Sequence, residues 1–462
     1  MTRAYDFRSA SREALGRVQL QDSLNRARGG FVDHRRDAVN AVPEFGALRA
    51  SATAIREHSL RYLDHYLCVF EEKVRARGGR VHWARDAAEA RDIVVKLCRE
   101  YGARTVAKSK SMVTEEIDLN DALQSAGLDV TETDLGEYII QLAGERPSHI
   151  IAPAVHKSRD DIRELFESHH GPRDGDRESV SGLVDEARWV LRERFAGADV
   201  GITGANFLVA ETGSVLIVSN EGNVDLSVDL PSRHISVTGI EKVVPGLNDA
   251  MSLVRVLARS ASGQAMTTYC RLFTGAAEDG SLDVVLVDNG RSRILGGDLA
   301  DILRCIRCGA CLNHCPVYMA TGGHAYGWVY PGPMGAVLTP LLVGVGRYGG
   351  LADASTFCGR CESVCPVSIP LPRLLRSIRT QKGGNSTLLK LWGWLARRPA
   401  LYAAVTSLGA RVLRGLAAPR GRLGRIPFAG AWTDVRDLPA PQGGTFYTRW
   451  HARRRQRKKL NG

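Results

Sequence analysis

The sequence predicts an α/β chain with a largely parallel sheet, continued by a mainly helical module. Three observations lead there. Short strand candidates alternate with helical stretches between residues 78 and 290. Seven of the ten cysteines fall between Cys305 and Cys365. The basic charge is confined to the end: from Gln381 onward there are 17 Lys or Arg against two Asp, whereas the whole chain carries a net charge of +12.

At 462 residues the chain is longer than one core usually supports. A hydrophobic content of 44% and a charged content of 24% describe an ordinary soluble globular protein. The opening residues MTRAYDFRSASREALGRVQLQDSLNRARGG have no apolar h-region, so the chain is expected to stay in the cytoplasm. The longest apolar stretch, Met334 to Val345, is shorter than the ~20 residues of a spanning helix and is broken by Gly and Pro, so no membrane crossing is expected.

Taken in order, residues 1–77 carry apolar residues at helical spacing, as in SATAIREHSLRYLDHYLCVFEEKVRARGG, and read as helices ending at Gly78-Gly79. Residues 78–290 form the α/β part. RVHWA, RTVAKS, DVTETD and HIIAP are its first strand candidates, separated by helical stretches such as DAAEARDIVVKLCREYG and SRDDIRELFESHH. A second series follows: ADVGITGANFLVAETGSVLIVSNEGNVDL, RHISVTGIEKVV, a helical DAMSLVRVLARSA, and LDVVLVDNG, closing at the turn Asp288-Asn289-Gly290. Residues 291–380 hold the cysteine module. Residues 381–462 read as basic amphipathic helices and a run ending in RRRQRKK.

CIRCGACLNHCP supplies Cys305, Cys308, Cys311 and Cys315 before Pro316, the complete C-x2-C-x2-C-x3-C-P run of a bacterial iron-sulfur site. STFCGRCESVCP repeats it with Cys358, Cys361 and Cys365, and has Ser355 where the first cysteine belongs. In two-cluster ferredoxins the fourth cysteine of each run ligates the other cluster. Cluster one then takes Cys305, Cys308, Cys311 and Cys365 as [4Fe-4S]. Cluster two takes Cys315, Cys358 and Cys361, as [4Fe-4S] with a fourth ligand such as the Ser355 oxygen, or as [3Fe-4S]. A zinc site would need four ligands rather than a run of four plus an echo of three. Cys68, Cys98 and Cys270 lie in helical or strand-like patterns and read as buried packing. The 42 residues between the runs contain GGHAYGWVYPGPMGAVLTPLL, which suits a surface for a quinone or partner protein, or an ordered loop packed over the clusters. His324, within it, ranks behind Ser355 as the missing ligand.

LDVVLVDNGRSRIL, CIRCGACLNHCPVY, GGHAYGWVYPGPMGAVLTPLL and FCGRCESVCPVSIPL together resemble the lactate utilisation protein B family, the iron-sulfur subunit of the bacterial three-protein L-lactate utilisation system. ITGANFLVAETGSVLIVSNEGN resembles the LUD domain of that family, which is similar in fold to the sugar-phosphate isomerase and CoA-transferase superfamily. The resemblance covers roughly residues 50 to 380 and fades in the basic extension; the family pattern likewise has two cysteines before its last Cys-Pro. It implies an electron carrier that helps two partner proteins oxidise L-lactate to pyruvate. The rival readings are that the LUD domain is itself the catalyst, with clusters that sense redox state or stabilise the fold, or that the donor is another 2-hydroxy acid such as glycolate.

Other candidate positions follow. Glu221, on the turn after SVLIV, sits as a catalytic carboxylate would in the CoA-transferase-like fold. Lys108-Ser109-Lys110-Ser111 could bind an anionic group. No G-x-G-x-x-G follows a strand, so no nicotinamide or flavin is expected on such a fingerprint. The basic tail, with Trp392 and Trp394, suits an anionic membrane surface or a solvating tail. It lacks the aromatic platform and groove-reading motif that nucleic acid would require.

Overall fold

The computed structural model describes residues 4–171, 175–382, 387–417, 421–424, 426, 433 and 436–460. The chain divides into one compact unit reaching to Lys382 and a second beyond it.

The first unit begins with helices Phe7–Leu15, Val18–Asn40, Phe45–Arg61 and Leu63–Ala76. Asp6 caps the first by accepting from the backbone N–H groups of Arg8 and Ser9. The last ends at Gly78, whose φ of +78° suits a residue without Cβ.

The strands are β1 (Arg80–Ala84), β2 (Thr105–Lys108), β3 (Asp129–Glu132), β4 (Val200–Thr203), β5 (Phe207–Val209), β6 (Ser214–Ser219), β7 (Arg233–Gly239), β8 (Val243–Val244), β9 (Tyr269–Thr274) and β10 (Ser281–Val287). Six of them form a wholly parallel sheet in the order β1-β10-β7-β4-β2-β3. The near-continuous apolar run of β10 has its reason here, because a parallel sheet is covered on both faces. Val285 and Val287 pack with Val94 and Leu97 of helix Ala87–Glu100 on one side. Val284 and Leu286 pack with Phe70 and Val74 on the other. A second sheet, β8-β5-β6-β9, pairs β5 with β6 and β6 with β9 antiparallel and β5 with β8 parallel.

One expected strand is absent: HIIAP, residues 149–153, forms a tight turn. Ser148 N–H bonds to the Pro153 carbonyl at 3.1 Å. The Nδ1 atom of His149 accepts from the N–H groups of Ile151 and Ala152 at 2.9 and 3.0 Å. Two of the segment's four N–H groups are thus taken by a side chain, which competes with pairing in a sheet. Cys98 is buried as expected, whereas Cys270 is only half-buried and Cys68 is exposed on helix Leu63–Ala76.

The cysteine module shares one core with the N-terminal helices: Leu24, Phe45 and Ala52 belong to the same apolar cluster as Leu312, Val337 and Leu374. Of the stretch expected to form either a quinone surface or a covering loop, the second half is a helix, Gly332–Val343, buried from Gly332 to Pro340 and so packed inside the unit, while the first half runs as turns with His324 exposed.

The second unit contains helices Thr387–Ala396, Pro399–Ala417 and Phe446–Leu460. Leu391, Trp392 and Trp394 are exposed on the first of these. No helix among the described residues is long and apolar enough to cross a membrane.

Candidate functional site

The two cysteine runs build the same loop twice. In the first, Arg307 and Gly309 have φ of +59° and +73°; in the second, Phe357 and Gly359 have +54° and +79°. Each loop then enters a one-turn helix, Ala310–Asn313 or Arg360–Ser363. Left-handed residues placed this way turn successive N–H groups inward, as an anionic sulfur-rich group requires. The Arg307 N–H bonds to Cys305 Sγ at 3.4 Å. The Phe357 N–H bonds to Ser355 Oγ at 3.1 Å, so Ser355 takes the place of Cys305 in the second loop.

The thiols fall into two groups. Cys305, Cys308, Cys311 and Cys365 line one cavity together with Ile150 and Met334. Burial raises the pKa of Cys311 most, and the neighbouring charges of Cys305, Cys308 and Cys365 add to it. Cys361 is raised by burial and then by Cys315, and Cys358 in turn acts on both. Cys365 therefore shares a cavity with the three thiols of the first run, while Cys315 acts on Cys361 of the second. Cys358 is exposed, and the Arg360 N–H lowers its pKa. Close-set thiols that repel one another as thiolates are a donor set suited to iron. The cavity and the inward N–H groups fit a bound cluster at the first group.

Residues distant in sequence hold these loops. Arg35 donates to the Val364 carbonyl at 2.9 Å, and Arg49 to the carbonyls of Cys365 and Glu362 at 2.7 and 3.0 Å. The Nε2–H of His149 donates to Asn313 Oδ1 at 2.7 Å; burial lowers its pKa to about 4. Arg307 lies over the Tyr330 ring at 4.9 Å and pairs with Glu241 at 3.4 Å. Arg291 bonds Glu116 at 2.8 and 2.7 Å and Glu241 at 2.6 Å, and Tyr330 Oη donates to Glu116 at 2.7 Å. This buried network ties the cysteine module to the ends of the parallel strands. It was not legible in the sequence.

Beside the first thiol group, a cavity of about 270 Å³ opens beyond the carboxyl ends of β2 and β4, where open α/β sheets bind ligands. Glu221 is on its rim, and its carboxylate accepts from Leu135 N–H at 3.2 Å. Partial burial, and then Asp134, raises its pKa. Lys110 and Ser111 also line this cavity. Lys108 does not: it is buried and paired with Glu132 at 2.7 Å. Ser109 is buried with its hydroxyl unpartnered. Lys242, which sequence reasoning missed, lines the cavity, and burial brings its pKa down to about 7. Its one sequence signal was the charged pair Glu241-Lys242 inside an apolar run. His324 Nε2–H donates to the Arg146 carbonyl at 2.7 Å and its ring packs on His156. It faces a larger groove of about 710 Å³ that no cysteine lines.

Comparison with known proteins gives three family matches. A LUD domain covers residues 67–294, a 4Fe-4S dicluster domain residues 301–369, and "Lactate utilisation protein B, C-terminal" residues 360–455. The last shows that the likeness runs on through the basic extension, where sequence motifs alone had faded. "Lactate utilization protein B" of Shouchella clausii is 45% identical over 455 residues, 95% of this chain and 94% of that protein. The protein of the same name from Lysinibacillus sphaericus is 41% identical over 443 residues, 92% of each. "Uncharacterized electron transport protein YkgF" of Escherichia coli K12 is 39% identical over 477 residues, covering 99% of this chain and 98% of that one.

Proposed function

Since the chain belongs to the lactate utilisation protein B family, we propose that it is the electron-carrying subunit of a system that oxidises L-lactate to pyruvate alongside two other lactate utilisation proteins. The observation that carries this reading is that Cys305, Cys308, Cys311 and Cys365 share one cavity and that the second run repeats the loop of the first. Cys305, Cys308, Cys311 and Cys365 would hold one cluster, of [4Fe-4S] type. Cys315, Cys358 and Cys361 would hold the other, as [4Fe-4S] with Ser355 Oγ completing the set or as [3Fe-4S]. When bound, the clusters supply one-electron acceptors and donors.

The chain's own residues do the rest. The first thiol group is closed in by Ile150, Met334 and the Arg307–Tyr330 stack, which keep water away. The exposed Cys358 gives a partner protein its nearest approach to the thiols. Leu391, Trp392 and Trp394, followed by Arg397 and Arg398, suit the anionic inner face of a membrane, where a quinone would be the acceptor. The protein is then cytoplasmic and peripheral to that membrane. Liposome co-sedimentation with and without residues 384–462 tests the contact, and equal binding by both forms would remove it.

The decisive experiment is electron paramagnetic resonance on the anaerobically purified chain with its two partners, before and after L-lactate is added. A reduced-cluster signal that needs both lactate and the partners is expected. Clusters that stay oxidised with lactate yet reduce with dithionite would overturn the assignment of the donor and point to another 2-hydroxy acid, glycolate first.

A further inference from the structure

The cavity beside the first thiol group holds polar groups that have no hydrogen-bond partner among the described residues. Lys242 is only 5% exposed, and among the described residues its ammonium makes no hydrogen bond or ion pair. The other two cations on the wall are engaged: Arg307 with Glu241, and Lys110 with the Ile151 carbonyl at 2.7 Å. The hydroxyls of Ser219 and Thr267, buried and unpartnered, line the same space. Glu241 and Cys305 act on the Lys242 ammonium from a distance without bonding it; a buried ammonium with no bonded acceptor is costly, and buried hydroxyls are ordinarily satisfied. Three such groups converging on one cavity mark a place where a ligand supplies what the protein lacks.

Asp134 and Glu221 also line the cavity, but neither bonds Lys242, so the missing complement is an anionic acceptor at its ammonium and hydrogen-bonding oxygens for the two hydroxyls. The volume of about 270 Å³ lies at the small end of ligand sites and is too small for a dinucleotide or flavin. Ile150 and Arg307 line both this cavity and the one formed by Cys305, Cys308, Cys311 and Cys365, so a single layer of side chains separates a ligand here from the thiols.

We propose that this cavity binds a small 2-hydroxy or 2-oxo carboxylate, with Lys242 as its counter-ion and Ser219 and Thr267 as its neutral polar lining. The proposal rests on the electron-carrier reading for the identity of the acid, and it places an acid-binding site in this chain itself.

The test is equilibrium dialysis of the anaerobic, cluster-loaded chain against radiolabelled L-lactate and pyruvate, with lactamide as competitor. Saturable binding of at least one acid is expected. Lactamide, which keeps the shape but not the charge, should not compete. Lys242→Met should weaken binding about 10- to 100-fold, the worth of a charge-assisted hydrogen bond, with visible absorbance and melting temperature retained. If that variant fails to fold, the lactamide comparison on the unaltered chain still decides. No saturable binding up to about 10 mM, well above ordinary substrate affinities, or equal competition by lactamide, overturns the proposal. Should lactate with partners still reduce the clusters while no acid binds, the electron-carrier reading stands and this inference falls. Should an acid bind while lactate with partners leaves the clusters oxidised, the ligand class stands and the assigned reaction falls.

Discussion

Replacing Arg291 by Met would test whether the buried ionic network holds the cysteine module against the α/β sheet. Arg291 is 1% exposed and its guanidinium satisfies two carboxylates, Glu116 through paired bonds and Glu241 through one. Methionine fills much of the volume but leaves both acids without their main counter-charge. Arg307, 3.4 Å from Glu241, and the neutral donors Tyr330 and Asn289 on Glu116 compensate only in part. Breaking a buried pair from one side typically costs about 3–5 kcal/mol, a large share of the roughly 5–15 kcal/mol that stabilises a domain. The measurement is urea unfolding of the anaerobic protein, followed by far-ultraviolet circular dichroism and by visible cluster absorbance. Both should be lost at a much lower midpoint. The pair Glu116→Gln with Arg291→Met should recover part of the loss, because the amide no longer buries a charge. A loss under about 1 kcal/mol for Arg291→Met, or a double variant weaker than the sum of the singles, would refute the reasoning.

Three further outcomes follow. Gly309→Ala should impair assembly at the first thiol group more than Gly359→Ala does at the second. Both glycines have positive φ, but a Cβ at Gly309 meets Ile151 Cγ1 at 3.1 Å while one at Gly359 meets nothing within 4 Å; iron content after reconstitution reads the difference, and the reverse order contradicts it. Ser355→Cys should remove any three-iron paramagnetic signal and Ser355→Ala should enlarge it, because Ser355 Oγ occupies the position of Cys305 Sγ; identical spectra would show that Ser355 has no part in the site. Stability should fall on acidification from pH 6.5 toward 4. Burial lowers the pKa of both His149 and His234 from 6.5 to about 4, so below 6.5 the unfolded chain takes up protons that the folded chain refuses, and the stabilisation present above 6.5 is lost. His149→Gln should flatten that slope, and an unchanged midpoint-against-pH curve would count against it.

The parts of the fold legible in advance were those fixed by local pattern. The six-residue run LDVVLV announces a strand buried on both faces, and β10 lies with a neighbour on each side. The meeting of Cys365 with Cys305, Cys308 and Cys311 was legible because ligand spacing along the chain constrains which sulfurs can meet. HIIAP misled because its apolar residues look like a strand, while the deciding feature is a histidine ring capping its own backbone. Lys242, Arg291 and Glu116 escaped because burial of a charge depends on what lies opposite it: the partners of Arg291 and Glu116 are 50 to 175 residues away, and Lys242 has no bonded partner among the described residues. The segment between the cysteine runs was ambiguous for a related reason: a Gly- and Pro-containing apolar stretch can turn at a surface or pack as a helix, and only the neighbouring elements decide that residues 332–340 are buried.

The bonds from Arg35 and Arg49 to the last cysteine loop also set a timetable for biosynthesis. Arg35 lies 329 residues before Val364, and Arg49 lies 316 before Cys365. At roughly 5–20 residues per second, a ribosome makes the anchoring helices some 15 to 60 seconds before the loop they hold. Until then three thiols of the first group stand without their fourth. On the proposed ligand set, iron delivery to this protein belongs after translation of the whole first unit, and a chain cut short before Cys365 would leave the ribosome with a site that cannot close.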